Sequence, residues 1–176
     1  AGTTGSLSFT PVTDADGTVT ITVTVEDGGL DNDLATVGDN ATFSQTFDVD
    51  VTPVNDIPTL GALAGITILE DASEQTVSLS DITAGGSETQ PLRVTATSSD
   101  PDLIPNPSVT YTSADSTGSL AFTPVADQHG TATITVTVED GGLDNDLATV
   151  GDNATFSQSF DITVSANKFS APILDQ

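Results

Sequence analysis

The chain has 176 residues with 26 acidic and two basic side chains, which give a formal net charge of -24 at pH 7. Because nucleic-acid phosphates are bound by clustered Lys and Arg, this charge excludes a nucleic-acid surface, and it argues against attachment to an anionic membrane surface. There is no cysteine, so no disulfide framework holds the fold together. So many uncompensated carboxylates imply neutralisation by cations or by a saline medium.

A long stretch of the chain occurs twice. Residues 4–51 return as residues 117–164 at an offset of 113, with 40 of 48 positions identical. The stretch 20–45 is copied without any change as 133–158. Self-similarity at a fixed spacing is typical of tandem arrays. We therefore expect one complete and one partial repeat, in a chain that is a piece of something longer.

The first copy begins with predicted strands. Residues 5–11 alternate apolar and polar side chains and predict a short strand. In the next stretch four β-branched residues alternate with threonines: Val19, Ile21, Val23 and Val25. Strict period 2 in β-branched residues predicts a second strand. Alternation resumes after an acidic loop at residues 30–40, so the two long strands are expected to pair antiparallel.

The second copy is preceded by a connector and several short strands. Two prolines in residues 51–58, Pro53 and Pro58, predict a stiff connector rather than a sheet interior. Short alternating stretches then begin near Ile66, Gln75, Leu92 and Val109. About seven short strands with no helical period predict an all-β immunoglobulin-type sandwich. The side chains expected to face its core are Leu120, Phe122, Ile134, Val136, Val138, Phe156, Phe160 and Ile162.

An ordered set of motifs covers nearly the whole chain. It comprises Glu70-Asp71, Asp100-Pro101-Asp102, Phe122-Thr123-Pro124, the run Gly130–Asp140 and the connector Pro53-Val54-Asn55-Asp56-Ile57-Pro58. This set resembles the cadherin-like tandem repeats of giant bacterial surface proteins. The departures are Ser99, where an acid is common, and Asn167-Lys168 in place of an Asn-Asp pair.

The resemblance implies a fold, a location and partners. The fold would be tandem immunoglobulin/cadherin-like β-sandwiches: residues 1–56 as the C-terminal half of one repeat, 57–166 as a complete repeat, and 167–176 as a linker and the start of the next. The location would be extracellular, at the cell surface, in a calcium-rigidified string used for adhesion or as a stalk. The partners would be neighbouring repeats of the same protein.

The resemblance also implies a calcium site at the junction between repeats. In a cadherin-like sandwich, Asp100, Asp102 and Asp140 would lie at the pole where Asn55 and Asp56 enter. These five residues would supply oxygen ligands, of which calcium prefers six to eight. Turn residues solvated at a pole are the alternative interpretation.

The duplicated acidic loop is a weaker calcium candidate. Its carboxylates are Asp31, Asp33, Asp39, Asp144, Asp146 and Asp152. The Asp-Asn-Asp core resembles a calcium loop, yet it lacks the Gly at the sixth position and the Glu at the twelfth that an EF-hand requires. A solvated acidic loop is equally compatible with the sequence.

The composition indicates a protein that is not an enzyme. The one histidine, His129, lies in a predicted turn, and without cysteine neither a Ser-His-Asp nor a Cys-His arrangement can recur in both copies. With no Trp and one Tyr, no aromatic cleft is available to orient a sugar ring. Lys168 lies outside the predicted core, which argues against an isopeptide cross-link.

Three functions remain compatible with the sequence. The first is a structural stalk or adhesive segment, the second a subunit of a self-assembling filament or surface layer, and the third a carbohydrate-binding β-sandwich module. The third needs exposed aromatic rings, whereas most of the seven Phe occupy positions predicted to face inward. Residues 1–56 lack a counterpart of 57–113, so we expect completion in trans by strand complementation, in a homo-oligomer or filament.

Overall fold

The computed structural model describes residues 4–36 and 38–167. Every regular element in these ranges is a β-strand, which confirms the predicted all-β class. The described residues include no helix that is long and apolar enough to cross a membrane. Two compact units are present, an N-terminal unit ending at Val54 and a C-terminal unit beginning at Asn55. The predicted linker and start of a further repeat, residues 167–176, lies outside the described residues apart from Asn167.

The N-terminal unit contains one β-hairpin. Its strands are β1, Gly17–Glu26, and β2, Thr42–Val51. They pair antiparallel in continuous register, with Ile21 opposite Phe47. The predicted hairpin across an enlarged acidic loop is therefore confirmed.

The C-terminal unit is a sandwich of two sheets. Its strands are β3 Ile66–Leu69, β4 Gln75–Leu79, β5 Leu92–Ser98, β6 Ser108–Thr110, β7 Gly118–Phe122, β8 Gly130–Asp140 and β9 Thr155–Ser165. One sheet has the order β3-β9-β8-β5 and the other β4-β7-β6. β3 runs parallel to β9, and the other pairs are antiparallel. The predicted sandwich is thereby confirmed.

The core of the C-terminal unit lies between these two sheets. Along β8 the alternation places Ile134, Val136 and Val138 inside, each with no exposed surface, while the intervening threonines stay partly exposed. Of the eight predicted core residues, seven are buried and Phe156 packs against the cluster half-buried. The predicted face of each strand is therefore the one that the sandwich buries.

The same hairpin is exposed in the N-terminal unit. Val136 is 0% exposed, whereas its counterpart Val23 is 41% exposed. Phe160 is 5% exposed, whereas its counterpart Phe47 is 44% exposed. Because Val23 and Val136 lie in the identical stretches 20–45 and 133–158, their difference in exposure arises from the surroundings and not from the strands. In the C-terminal unit, the sheet β4-β7-β6 provides the cover.

The prediction of a strand at residues 5–11 is wrong. The copy of this stretch in the C-terminal unit is β7, which lies between β4 and β6. The N-terminal unit contains no counterpart of β4 or β6 among its described residues, and residues 4–12 belong to no strand. A strand of this kind exists through backbone hydrogen bonds to its neighbours, so its alternating sequence alone does not produce it.

The burial difference predicts unequal effects of one substitution made in the two copies. Val136→Asp should unfold the C-terminal unit, because it removes about 1.5–3 kcal/mol of apolar burial and places a carboxylate in the core. The matched control, Val23→Asp, should leave the melting temperature of the C-terminal unit unchanged. Thermal melting followed by circular dichroism checks both variants. An unchanged melting temperature in Val136→Asp would contradict the assigned core.

Candidate metal site in the C-terminal unit

The two ends of the C-terminal sandwich carry different polar residues. At the end that we call proximal, β8 finishes at Asp140, which is paired with the first residue of β5, Leu92. At the opposite, distal end, the last residue of β5, Ser98, is paired with Ile134. The chain reaches the proximal end at Asn55, whose side chain contacts Asp140.

Asp140 is a fully buried carboxylate at the proximal end, with 0% exposure. Its Oδ1 accepts hydrogen bonds from the backbone N–H groups of Gly142 and Ala154, both at 2.9 Å. The same oxygen accepts the side-chain amide of Asn55 at 3.1 Å. Its Oδ2 is buried and has no hydrogen-bond partner. A buried charge that is only half satisfied is costly, so this oxygen is available to an additional ligand.

Asn55 and Gln90 continue this polar group. The Asn55 amide also donates to the backbone oxygen of Asp152 at 3.0 Å, and the Asn55 oxygen accepts Gln90 Nε2 at 2.6 Å. Gln90 is buried, and its Oε1 lacks a hydrogen-bond partner. The group therefore contains two buried oxygens without donors, one on Asp140 and one on Gln90.

Asp56 lies at the same end, beside a second acid that the sequence did not indicate. Its backbone N–H donates to Glu88 Oε2 at 3.1 Å. Asn55 and Asp56, which the sequence analysis assigned to the partial repeat, thus make their contacts within the C-terminal unit. Neither Glu88 nor Gln90 stands in a recognisable motif, and Gln90 is linked to Asp140 through Asn55.

The predicted five-residue junction site is wrong in its geometry. Asp100 and Asp102 follow the distal end of β5, where Ser99 donates its N–H to the Thr133 oxygen at 2.9 Å. Thr133 and Asp140 are seven residues apart along β8, about 23 Å at the rise of a strand. Calcium holds its ligands at about 2.3–2.6 Å, so Asp100 and Asp102 cannot share an ion with Asp140. Of the five residues, the structure joins Asn55 and Asp140 by a hydrogen bond, and Asp56 follows Asn55 in the chain.

The distal acids stabilise the backbone where the chain leaves the sandwich. Glu70 accepts the backbone N–H of Asn167 on Oε1 at 2.8 Å, and its own N–H donates to the Ser165 oxygen at 2.9 Å. Asp71 Oδ1 accepts the N–H of Asp127 at 3.1 Å. Across the described ranges, no three His, Cys, Asp or Glu side chains are grouped closely enough to hold a metal by themselves. A cation site among these residues would therefore draw on amide, backbone or water oxygens as well as carboxylates.

The acidic loop after β8 is organised by its own carboxylates. Asp144 Oδ1 accepts the N–H of Asp146, and Asp146 Oδ1 accepts that of Ala148, both at 2.9 Å. Asp152 Oδ2 accepts the N–H of Leu143 at 2.9 Å. Gly142 has a φ of +58°, and a Cβ there would lie 2.6 Å from Asp152 Cγ, so only glycine fits.

The loop after β1 repeats these contacts. Its acceptors are Asp31, Asp33 and Asp39, which receive backbone N–H groups at 2.7–2.9 Å. Each of the six loop carboxylates thus stabilises a turn of its own loop. Calcium binding within these loops stays a prediction.

Asp27 is the copy of Asp140, and it shows which contacts of Asp140 belong to the turn alone. Its Oδ1 accepts the N–H groups of Ala41 and Gly29 at 3.0 Å, and these backbone hydrogen bonds lower the pKa of the Asp27 carboxyl. Asp27 is nevertheless exposed, unlike Asp140. Burial of Asp140 therefore depends on residues outside the copied stretch, Asn55 and Gln90 among them.

An ion pair lies next to Asp140 on the outer face of the sheet. Arg93 Nε donates to Glu139 Oε2 at 3.0 Å, and Asn153 Nδ2 donates to Glu139 Oε1 at 3.3 Å. The Arg93 hydrogen bond lowers the pKa of Glu139 below its usual value of about 4.5. Because the folded-state pKa is the lower one, the pair stabilises the fold above the unfolded pKa. That contribution is lost as the pH falls through the folded value.

The pair predicts a pH dependence that one substitution removes. Glu139→Gln should lower the unfolding free energy at pH 7 by about 0.2–1 kcal/mol, since Arg93 is exposed and solvent screens the pair, and the difference from wild type should disappear as the pH falls through the folded-state pKa of Glu139. Urea unfolding at several pH values measures this difference. Glu26→Gln, at the copied position, serves as the control and should not change the C-terminal unit. A difference that persists at low pH would contradict the assigned cause.

The chain matches several solved structures at low sequence identity. No protein-family model and no curated protein matches the chain. Among solved structures, it is similar to "Structure of surface layer protein SbsC, domains 1-6", with 16% identity, a TM-score of 0.43, and coverage of 91% of this chain and 17% of that chain. It is also similar to "Crystal structure of the S-layer protein SbsC domains 4 and 5", with 16% identity, a TM-score of 0.42, and coverage of 86% and 59%. Similarity at this level does not assign a function to the chain.

Proposed function

We propose that the chain is a non-catalytic structural segment of an extracellular surface protein, in which each repeat acts as a calcium-stiffened spacer. The observation that carries the proposal is the position of the two chain ends of the complete unit. Asn55 lies at the proximal end against Asp140, and Asn167 lies at the distal end against Glu70. A chain that passes through this unit therefore leaves at the end opposite to its arrival.

This path suits a molecule that spans distance. The longest strands of the unit, β8 and β9, have 11 residues each, which corresponds to about 36 Å. The internal duplication supplies a second copy of the same hairpin 113 residues away. A repeated sandwich whose ends lie at opposite poles adds length with each copy, as a stalk requires.

Calcium at the proximal end would complete this function. Two buried oxygens there lack donors, Asp140 Oδ2 and Gln90 Oε1, and Asn55 contacts both of these side chains. Calcium accepts carboxylate, amide and backbone oxygens, so this set fits its chemistry. The ion would neutralise a buried carboxylate and fix the connector at Asn55. The charge of -24 supports a setting rich in cations, as outside the cell.

Calcium binding predicts a stabilisation that depends on Asp140. Added to the calcium-stripped chain, calcium should stabilise the C-terminal unit by about 2.7 kcal/mol at a hundredfold excess over its dissociation constant. Asp140→Asn keeps an oxygen that can accept the Gly142 and Ala154 N–H groups but removes the charge, so the calcium-dependent rise in melting temperature should disappear. Asp27→Asn, at the equivalent position of the N-terminal unit, should keep the full rise in melting temperature. Differential scanning calorimetry with and without calcium measures all three proteins.

Two results would reject the calcium site. One is an unchanged wild-type melting temperature on addition of calcium, with no heat in titration calorimetry. The other is an Asp140→Asn variant that keeps the full shift, which would place the ion elsewhere, for example in the acidic loops.

The spacer function predicts how length grows with copy number. Proteins with one, two and four tandem copies of residues 55–167 should gain about 36 Å in maximum dimension per added copy in small-angle X-ray scattering with calcium. Compact particles whose dimension grows only with the cube root of mass would contradict the spacer function. This result is independent of the calcium titration, so the two parts of the proposal can fail separately.

A further inference from the structure

The sheet of the N-terminal unit has an uncovered apolar face. Its exposed side chains include Val19, Val23, Val25, Phe43 and Phe47, and Phe9 of the preceding segment is exposed as well. A recess of 280 Å³ lies on this face, and Phe9, Val12, Gly17 and Val19 are part of its lining. Continuous apolar surface of this kind marks a site of interaction.

The C-terminal unit shows which side chain fills the equivalent of this recess. Leu103 is buried there, its backbone oxygen accepts the Val125 N–H at 2.9 Å, and its Cδ2 lies 3.4 Å from the Cβ position of Gly130. The counterparts of Val125 and Gly130 are Val12 and Gly17, and both line the recess. Nothing lies within 4 Å of the Cβ position at Gly17. The recess therefore lies at the position where the C-terminal unit holds the side chain of Leu103.

A second contact of the C-terminal unit is absent from the described residues of the N-terminal unit, on the stretch that corresponds to β7. The Cβ position of Gly118 lies 3.1 Å from the Thr110 oxygen and 3.3 Å from Tyr111 Cδ2. At its counterpart, Gly5, nothing lies within 4 Å. The partners at both vacant contacts, Leu103 and Thr110-Tyr111, belong to residues 57–113, the part of the repeat that has no counterpart in the N-terminal unit.

Both edges of the N-terminal hairpin are also without the strands that flank its copy. β8 pairs with β5 as well as β9, and β9 pairs with β3 as well as β8. In the described residues of the N-terminal unit, β1 and β2 pair only with each other. The two missing neighbours, β3 and β5, again belong to residues 57–113.

We propose that the uncovered face of the N-terminal unit is a docking surface for one further polypeptide segment built like residues 57–113. Such a segment adds strands equivalent to β3 and β5 at the two edges of the β1-β2 hairpin and places a leucine side chain in the recess. It also places β4- and β6-type strands on either side of residues 5–9, which then form the strand that their alternation predicts. Since 40 of 48 positions are shared between the copies, the shape that fits one hairpin fits the other.

A second copy of residues 1–176 does not supply this segment to every hairpin. These residues include one segment 57–113 and two stretches with the hairpin that it covers, 4–51 and 117–164. If two copies exchanged this segment, covering one hairpin would uncover another. The number of uncovered hairpins would therefore stay the same. Two uncovered faces packed against each other would bury apolar surface but leave the outer edges of β1 and β2 unpaired.

The test adds the segment to the full chain and follows one thiol. Residues 57–113 are joined ahead of Ala1, the counterpart of Ala114, so the spacing of the complete repeat is reproduced. The chain has no cysteine, so Val23→Cys introduces a single thiol on the uncovered face. Its reaction with a disulfide reagent should be at least about 100-fold slower in the extended chain, near the rate of Val136→Cys in the original chain.

Two controls make the result specific. Thr24→Cys, on the opposite face of β1, should react rapidly in both chains. An extension of the same length with the residues of 57–113 in shuffled order should leave the Val23→Cys thiol fully reactive. Circular dichroism confirms that each variant keeps its C-terminal unit folded.

Three results would overturn the proposal. The first is a Val23→Cys thiol that stays as reactive in the extended chain as in the original one. The second is equal protection by the shuffled extension. The third is a dimer of the original chain in sedimentation with Val23→Cys already protected, which would identify a second copy as the occupant.

Discussion

The structure depends on one constraint, the covering of a hairpin's apolar face by a second sheet. The same 26-residue sequence forms a buried hairpin in one unit and an exposed one in the other. The outer polar face is alike in both: Thr24 and Ser44 share a hydroxyl hydrogen bond of 2.7 Å, as do their copies Thr137 and Ser157. These cross-strand contacts and the backbone ladder fix the register, whereas the opposite sheet determines whether the valines form a core.

Sequence reasoning succeeded where the information is local. Alternation of Val and Thr predicted β1 and β8, their antiparallel partners, and the burial of residues such as Val136. It failed for residues 5–9, whose strand needs two neighbours distant in sequence, and for Asp100, whose end of the sandwich depends on the direction of β5 beside β8. Gln90 was missed because nothing in its local pattern distinguishes it from other polar residues before a strand. Strand order and direction depend on contacts between residues that are distant in the chain, so local patterns in one sequence do not predict them.

The proximal end shows how a common turn becomes a candidate site. Asp27 and Asp140 each accept two backbone N–H groups at equivalent positions of their own turn, so the turn itself requires the acid in both copies. Only at Asp140 do Asn55 and Gln90 contribute to a buried polar group, in which two oxygens lack donors. A cation there would link the connector to the end of β8, at the point where the chain arrives. Stiffness along the chain would then follow from a charge that the fold buries, and at the distal end Glu70 holds the departing chain by a hydrogen bond to Asn167.

Native-state amide hydrogen exchange on the unmodified chain tests the central constraint most directly. Residues 20–25 and 133–138 have the same sequence and equivalent pairing with β2 and β9, respectively, and β8 pairs with β5 in addition. If the covering sheet creates the core, amides of 133–138 should exchange only through global unfolding of the C-terminal unit, and those of 20–25 should exchange orders of magnitude faster. Equal protection of the two stretches would contradict the account, because the hairpin would then be stable without the opposing sheet.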